Sequence, residues 1–322
     1  MACKTPELNY MFVDNTTDVP EALAEINRHS LLAVHCKGFK LGSRRSGELT
    51  LITVATQTKS FIFDVLTLGQ CVFDDGLGAI LEDKTKEKLM FNCRRDADNL
   101  FHQQKVQLTG VLDLQLLEFM FSKREVPKSE EKSRRSSRTG EVQLLKGFRQ
   151  CIEMYVKDEV IIEVRLRCQR QVLGDSHVWK TRPLSENLKK YCCVDASALF
   201  TLYINLQQDG KDHSRLVIAS DRYVDTFRCL PDITQGLCVF NPFLPLDIIP
   251  EAGDSFEFPE ASTKCIGCLR LFPADEFPKA QLRNKQRFCR VCAEVKSIFS
   301  KAFGIDLITQ GKTRFVQAKP RR

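Results

Sequence analysis

The run Ser30-Leu-Leu-Ala-Val-His35-Cys-Lys37-Gly38 indicates how this 322-residue chain folds and what its first functional site contains. Its apolar residues are bounded by Ser and Gly, which is the pattern of a buried strand. Similar runs at Glu48 to Ala55 and Lys59 to Val65 follow after short connections. The three runs are therefore predicted to form an antiparallel meander.

Helical segments alternate with these strands. Asn9 to Ser30 is predicted to hold an entry strand and a first helix that starts near a Pro and an acid. A strand is predicted at Lys88 to Asn92, with helices on either side of it at Gly76 to Glu82 and Asp96 to Gln103. A further helix is predicted at Asp195 to Gln207. This alternation predicts an α/β domain, with a mixed sheet covered by helices.

Four blocks of this region occur in a recognisable order. They resemble the motifs of the DEDD-type 3′-to-5′ exonucleases, the ribonuclease D-like group, over about the first two thirds of the chain. The resemblance implies a ribonuclease H-like mixed sheet flanked by helices. The blocks are Leu31 to Gly38, Phe61-Ile-Phe-Asp64-Val65, Lys88 to Gln103, and Trp179-Lys-Thr-Arg182-Pro183-Leu184 followed by Tyr191-Cys-Cys-Val-Asp195.

The first motif departs from the family pattern. His35 and Lys37 stand where the family has an Asp and a Glu, whereas Asp96, Tyr191 and Asp195 match its later motifs. Within the family, the chain resembles degenerate members from the piRNA pathway. That likeness implies RNA binding without cleavage and a place in small-RNA silencing.

The missing acids matter because two-metal phosphodiester hydrolysis needs two Mg²⁺ or Mn²⁺ ions about 4 Å apart. Hard divalent ions take oxygen ligands, and an ammonium group repels them. The first site is therefore predicted to hold no metal. A competing hypothesis is an active Mg²⁺- or Mn²⁺-dependent exonuclease that uses acids from elsewhere, namely Asp64, Asp96, Asp98 or Asp113, and Asp195.

Lys37 offers a replacement for the metal. Its ammonium group, placed near Asp96 and Asp195, would pair with these carboxylates or with a phosphate oxygen. Each residue also has a purely structural alternative. Lys37 could be solvated and His35 could lie in the core. Asp96 could stabilise a helix N-terminus and Asp195 could lie on a helix surface.

A second site is predicted near the C-terminus from the motifs Cys265-Ile-Gly-Cys268 and Cys289-Arg-Val-Cys292. Two C-x₂-C knuckles at about this separation are typical of a structural Zn²⁺ site with four thiolate ligands. So small a core needs a metal or a disulfide in order to fold. A redox C-x-x-C pair or a chance spacing is the alternative.

Positive charge is concentrated around this motif. Residues 262–322 contain 14 Lys and Arg against four acids, in a chain of net charge +7. Such a field attracts nucleic-acid phosphates, and Arg283, Lys285, Arg287 and Arg290 are the predicted contacts. A solubilising surface or a docking surface for a protein is the alternative, and the latter would make the chain a scaffold without RNA contact.

The 14 cysteines are scattered, and neither an apolar signal region nor a membrane-spanning run is present in the sequence. These features predict a protein without membrane contact in a reducing compartment: the cytoplasm, with the nucleus or ribonucleoprotein granules as alternatives.

The predicted organisation is an exonuclease-like domain at 1–208 with a mobile insertion at about 122–140, a connector at 209–261, a Cys₄ zinc module at 262–296 and a basic tail at 297–322. The predicted function is a catalytically inactive adaptor. Its predicted partners are RNA and proteins of an RNA pathway, with homodimer formation left open.

Overall fold

The computed structural model describes residues 8–41, 47–124, 142–207, 212–230, 238, 241–250 and 261–303. These residues fall into two compact units. The first takes them from Met1–Ser136, Leu145–Thr234 and Leu246–Phe258, and the second from Ser137–Leu144, Gln235–Pro245 and Pro259–Arg322. Most of the predicted insertion and of the basic tail lies outside the described residues.

A six-stranded mixed sheet forms the centre of the first unit, in the order β1-β4-β3-β2-β5-β6. The second, third and fourth strands form the predicted antiparallel meander, while β1 pairs with β4, and β5 with both β2 and β6, in parallel. The strands are β1 (Tyr10–Val13), β2 (Leu31–Phe39), β3 (Glu48–Ala55), β4 (Ser60–Asp64), β5 (Glu87–Met90) and β6 (Val111–Asp113).

Strand β2 has an irregularity just after the residues of the predicted site. The pairing register shifts between Lys37 and Gly38. A Cβ atom on Gly38 would lie 2.0 Å from the Glu48 carbonyl oxygen, so only glycine fits this close approach of two backbones. The bulge lies directly beside Lys37, and the pairing continues beyond it in a shifted register, with Gly38 opposite Leu49.

Helices flank the sheet, and the longest, α8, packs against β2, β3 and β4. Its middle, residues 191–200, is buried on nearly every face because the sheet lies on one side and α5 and α7 pack on others. The helices of the first unit are α1 (Val19–Asn27), α2 (Val65–Leu68), α3 (Gly78–Glu82), α4 (Arg94–Gln104), α5 (Leu114–Arg124), α6 (Phe148–Cys151), α7 (Glu159–Gly174), α8 (Glu186–Leu206) and α9 (His213–Arg228), with π-helical turns at Phe73–Leu77 and Ile152–Val156 and a 3₁₀ turn at Ser176–Trp179. The mixed α/β prediction is confirmed.

Helix α9 lies inside the segment that the sequence analysis assigned to a connector at 209–261. Its residues Leu216, Ala219, Tyr223 and Phe227 recur every three or four positions and are buried. They pack against α4 and β6. The first unit therefore continues past residue 208, because this apolar stripe completes its core, and the connector boundary differs from the prediction.

The second unit is small. It has a two-stranded antiparallel ladder, a 3₁₀ turn and two helices around Phe272, Phe277, Val291 and Val295. Its last helix runs through the predicted boundary between residues 296 and 297, so part of the predicted tail is helical. The elements are β7 (Thr263–Lys264), β8 (Leu271–Phe272), the turn Ala274–Glu276, α10 (Lys279–Arg283) and α11 (Arg290–Phe303).

Among the helices described in both units, none combines the length and the apolar character that a membrane crossing requires.

Candidate functional site

The five residues of the predicted exonuclease-like site meet in one cavity of the first unit. The cavity has a volume of about 340 Å³ and is lined by His35 and Lys37 from β2, Asp96 from the first turn of α4, and Tyr191 and Asp195 from α8. The spacing of two along a strand and of four along a helix places each pair on one face of its element. The sheet and the two helices then bring these faces together.

Asp195 is the centre of the cluster. Its side chain is 1% exposed, and its carboxylate accepts from the Lys37 ammonium group. His35 Nε2 lies 3.2 Å from the same carboxylate oxygen and 3.0 Å from Lys37 Nζ. Asp195 is therefore a buried acid paired with a lysine, and the alternative of a helix-surface acid is wrong.

Lys37 is held by aromatic rings as well as by charge. Its Nζ lies 4.2 Å from the centroid of the Tyr191 ring and 5.9 Å from that of Trp179, and its side chain is 11% exposed. A cation over these rings is attracted by their negative faces. The alternative of a solvated Lys37 is thus wrong.

His35 is a neutral imidazole in this environment. Burial lowers the pKa of His35 well below its usual value, and the positive charges of Lys37 and Arg165 lower it further. A neutral ring places no additional positive charge beside the ammonium group of Lys37.

Arg165, on α7, is a member of the site that the sequence analysis missed. Its guanidinium group forms an ion pair with Asp195 and lies 4.5 Å from the ring centroid of Phe148. The helical period of the sequence could have identified it. Arg165 follows Ile161 by four residues and precedes Cys168 by three, so it lies on the inward-facing side of the helix. Two cations thus face the single carboxylate of Asp195.

Asp96 is the second acid of the cavity. It accepts a hydrogen bond from the backbone of Cys36, and burial raises its pKa to about 7 against the opposing effect of the Lys37 charge. Asp113, a like charge, contributes to the same increase. Asp96 therefore gives up much of its negative charge near neutral pH.

The other acids of the competing hypothesis have structural partners. Asp64 forms a two-pronged ion pair with Arg182 and caps α2 at the Thr67 backbone. The carboxylate of Asp113 accepts hydrogen bonds from the backbones of Cys93 (2.7 Å) and Gln115 (2.9 Å). Asp98 lies 3.6 Å from His102, one turn further along α4.

A pair of divalent ions does not fit the residues that line this cavity. The donors that face Asp195 are an ammonium group, an imidazole and a guanidinium group, and two of the three carry positive charge. A second metal ion would need carboxylates to offset its charge, and among the described residues Asp96 is the one further acid lining the cavity. This lining therefore lacks the set of oxygen ligands that two divalent ions require.

The second predicted site is a cluster of four thiols in the second unit. Cys265, Cys268, Cys289 and Cys292 are buried, and their sulfur atoms all lie within 4.8 Å of one another. The backbone N–H groups of Gly267 and Cys289 point at Cys265 Sγ, at 3.4 and 3.3 Å. This all-sulfur set fits Zn²⁺, which these four residues would hold as a structural centre closed to substrate.

A fifth thiol and a glycine adjoin the cluster, and neither was singled out in the sequence. A Cβ atom on Gly267 would lie 2.9 Å from Cys292 Sγ and 3.2 Å from Cys238 Sγ. Cys238 is half-buried, so it differs from the buried thiols that fill the sheet domain. Only glycine therefore leaves room for both sulfur atoms beside the first knuckle.

The four predicted nucleic-acid contacts differ in their surroundings. Arg290 pairs with Glu276, with its Nε 3.0 Å from each carboxylate oxygen, and its backbone N–H donates to the same side chain. Arg283 ends α10, and Lys285 lies in the following turn with a positive φ of 57°. The backbone carbonyl of Arg287 accepts a hydrogen bond from Ile266. Arg290 thus has a structural partner within the module.

Solved structures share the fold of the first unit. Ribonuclease D from Trypanosoma brucei, solved in complex with the RNA U12, aligns with a TM-score of 0.57 and 24% identity over 71% of this chain and 74% of its own. The same enzyme in a GMP complex gives a TM-score of 0.59.

Curated relatives carry the name piRNA biogenesis protein EXD1. The protein from Mus musculus is 27% identical over 232 residues, and that from Homo sapiens is 28% identical over 213 residues. These alignments cover 69% and 64% of this chain, which spans only 37% and 38% of the two relatives. The family described as 3′-5′ exonuclease matches residues 10–211, so this chain belongs to the 3′-5′ exonuclease family.

Proposed function

We propose that this protein is a catalytically inactive exonuclease that binds RNA as an adaptor. The observation that carries the proposal is the ion pair between Lys37 and Asp195, a position where the family motif implies a metal ligand. An ammonium group in direct contact with that carboxylate removes the negative charge that would attract Mg²⁺ or Mn²⁺.

The surroundings of the ion pair support the same proposal. Arg165 adds a second cation to Asp195, and a divalent ion would have to approach both positive groups at contact distance. A metal ion that took the place of Lys37 at Asp195 would leave the ammonium group beside the rings of Tyr191 and Trp179 without a carboxylate. Leaving this buried cation unpaired would cost several kcal/mol, roughly.

The second unit supports RNA binding by charge. Arg283, Lys285 and Arg287 lie within nine residues of the thiol cluster, in a segment with a large excess of Lys and Arg. A rigid zinc-held module would present these cations to phosphates without the entropy loss of ordering a flexible chain. We assign the sequence-independent part of the RNA affinity to this surface.

The relatives suggest where the protein acts. The EXD1 proteins are named for piRNA biogenesis, and ribonuclease D of the same fold was solved with RNA. We therefore place this protein in a small-RNA silencing pathway, with RNA and the proteins of that pathway as its partners and cytoplasmic granules as its site of action. This chain matches only 37% and 38% of the length of these two relatives.

The test combines a nuclease assay with RNA binding. Purified full-length protein is incubated with single-stranded RNA and DNA in Mg²⁺ and then Mn²⁺, and RNA affinity is titrated in parallel. We expect no trimming of either substrate and salt-dependent binding of RNA. Trimming that disappears in both Asp96→Ala and Asp195→Ala would establish the active exonuclease instead, and absence of any RNA binding would establish a protein scaffold.

A further inference from the structure

The thiol cluster of the second unit has a fifth sulfur atom beside it. Cys238 belongs to the Gln235–Pro245 segment of that unit, which precedes the first knuckle in the chain. The Cys238 thiol lies 4.0 Å from the backbone carbonyl oxygen of Cys292, and the Cys292 thiol lies 3.9 Å from that of Cys238. The two cysteines therefore pack against each other at the edge of the candidate metal site.

Gly267 gives the two sulfur atoms their space. A Cβ atom at this position would lie within 3.2 Å of both Cys292 Sγ and Cys238 Sγ, so both sulfur atoms surround the same point. A side chain here would displace at least one of them. The glycine of the first knuckle therefore admits Cys238 to the immediate surroundings of Cys292.

The thiols of the cluster differ in how firmly they are held. Cys265 Sγ accepts hydrogen bonds from the backbone N–H groups of Gly267 and Cys289, which fix its position as a ligand. Cys292 lies in the first turn of α11, and the thiol of Cys238 packs beside it. A ligand can therefore be replaced most easily at Cys292, where a second sulfur atom is already in place.

We propose that Cys238 is an exchangeable ligand of the metal that the four thiols hold, and that it takes the place of Cys292 when that ligand is lost. Zn²⁺ has no geometric preference from its d electrons, so a thiolate from either residue can complete a tetrahedral set. Cys238 would release its proton to water as it becomes a ligand, and Cys292 would take up a proton as it leaves. The site would therefore keep four thiolates and an unchanged net charge.

This exchange would connect the metal to a different part of the unit. The carbonyl oxygen of Cys238 accepts a hydrogen bond from the Asn241 side chain, whose own oxygen accepts from the backbone N–H of Phe243. Phe243 in turn forms an antiparallel bridge with Leu144. A metal held through Cys238 would therefore tie these two segments to the thiol cluster, whereas a metal held through Cys292 fastens the start of α11.

The first experiment compares the zinc content of full-length variants purified without a chelator. Cys292→Ser should retain its zinc because Cys238 replaces the lost ligand, whereas Cys265→Ser should lose it. The double variant Cys292→Ser/Cys238→Ser should lose zinc as completely as Cys265→Ser. The matched control is Cys292→Ser/Cys229→Ser, which removes an exposed thiol of the first unit and should retain zinc.

A second experiment leaves the four thiols of the cluster intact, so it does not depend on the folding of a ligand variant. Cys238→Ser should contain as much zinc as the unsubstituted protein. Its zinc should pass to a chromogenic chelator about tenfold faster, because no neighbouring thiolate holds the metal when Cys292 leaves. Cys229→Ser should transfer zinc at the rate of the unsubstituted protein.

Three results would overturn the inference. They are zinc loss in Cys292→Ser equal to that in Cys265→Ser, retention of zinc in Cys292→Ser/Cys238→Ser, and an unchanged transfer rate in Cys238→Ser. None of these results depends on RNA, so a failure of RNA binding would refute the proposed function and leave the exchange in place.

Discussion

Lys37 Nζ and Asp195 Oδ2 form an ion pair between a strand and a helix whose residues are 158 positions apart in the chain. Both side chains are largely buried, and the rings of Tyr191 and Trp179 enclose the ammonium group. The family resemblance implies a metal ligand at the position of Asp195, so under the proposed function the ammonium group of Lys37 takes the place of that metal ion.

Removing Asp195 should cost more stability than removing Lys37. Asp195→Asn leaves Lys37 and Arg165 facing each other without a carboxylate, so the free energy of unfolding should fall by about 3 kcal/mol. Lys37→Met leaves Asp195 paired with Arg165 and should cost only about 1 kcal/mol. Urea denaturation measures both, and equal losses would show that the two cations do not share the acid.

Asp96 should make stability depend on pH. Its folded pKa of about 7 lies above the unfolded value of about 3.9, so its stabilising contribution is complete below pH 4 and is lost as pH rises towards 7. Asp96→Asn should therefore raise the free energy of unfolding at pH 8 by roughly 4 kcal/mol and have little effect on it at pH 4. The exposed Asp14→Asn variant is the control in thermal melts at both pH values. A difference that does not change with pH would exclude a raised pKa.

The thiol cluster should bind one Zn²⁺ per chain. Cys265→Ser should lose the metal, because three thiolates leave the tetrahedral site incomplete, while Cys238→Ser should retain it. A chelator should unfold the second unit and leave the first intact, since metal binding provides the folding energy of so small a core. Metal analysis measures the zinc content, and NMR amide spectra follow the folding of each unit. Protein that contains no zinc after purification without a chelator would refute this prediction.

Gly267→Ala should weaken zinc binding without removing a ligand. The added methyl group would lie 2.9 Å from Cys292 Sγ, closer than a carbon and a sulfur atom tolerate, so the ligand or the knuckle must move. We expect zinc affinity to fall by about tenfold in competition with a chromogenic chelator. Gly174→Ala, where nothing lies within 4 Å of the new Cβ, is the matched control and should leave the affinity unchanged.

The basic residues of the second unit should separate into two classes. Replacing Arg283, Lys285 and Arg287 with Gln should weaken RNA binding and reduce the slope of log K against log salt by about 2, if all three contact phosphates of a single strand. Arg290→Gln should instead lower the melting temperature of the module, because Arg290 pairs with Glu276. RNA titrations at several salt concentrations make this comparison. An unchanged slope in the triple variant would show that these three residues do not contact RNA phosphates.

The sequence by itself determined the local features. The β2, β3 and β4 strands and the α4 helix follow from runs and periods within each segment, and the four cysteines of the thiol cluster follow from the spacing of two short knuckles. The positions of His35, Lys37 and Asp195 followed from ordered family motifs. These features could be predicted because each depends on residues close together in the chain.

Only the tertiary structure decided how these features combine. The period of a helix shows which residues face inward but not which charges they meet there, so Arg165 could not be assigned to Asp195, and α9 was assigned to a connector. The partners of Asp64 and of Asp113 came from packing, and so did the position of Cys238 beside the thiol cluster. The physical reason is that burial, ion pairing and pKa shifts arise from contacts between distant segments, which exist only after the sheet and its helices have packed.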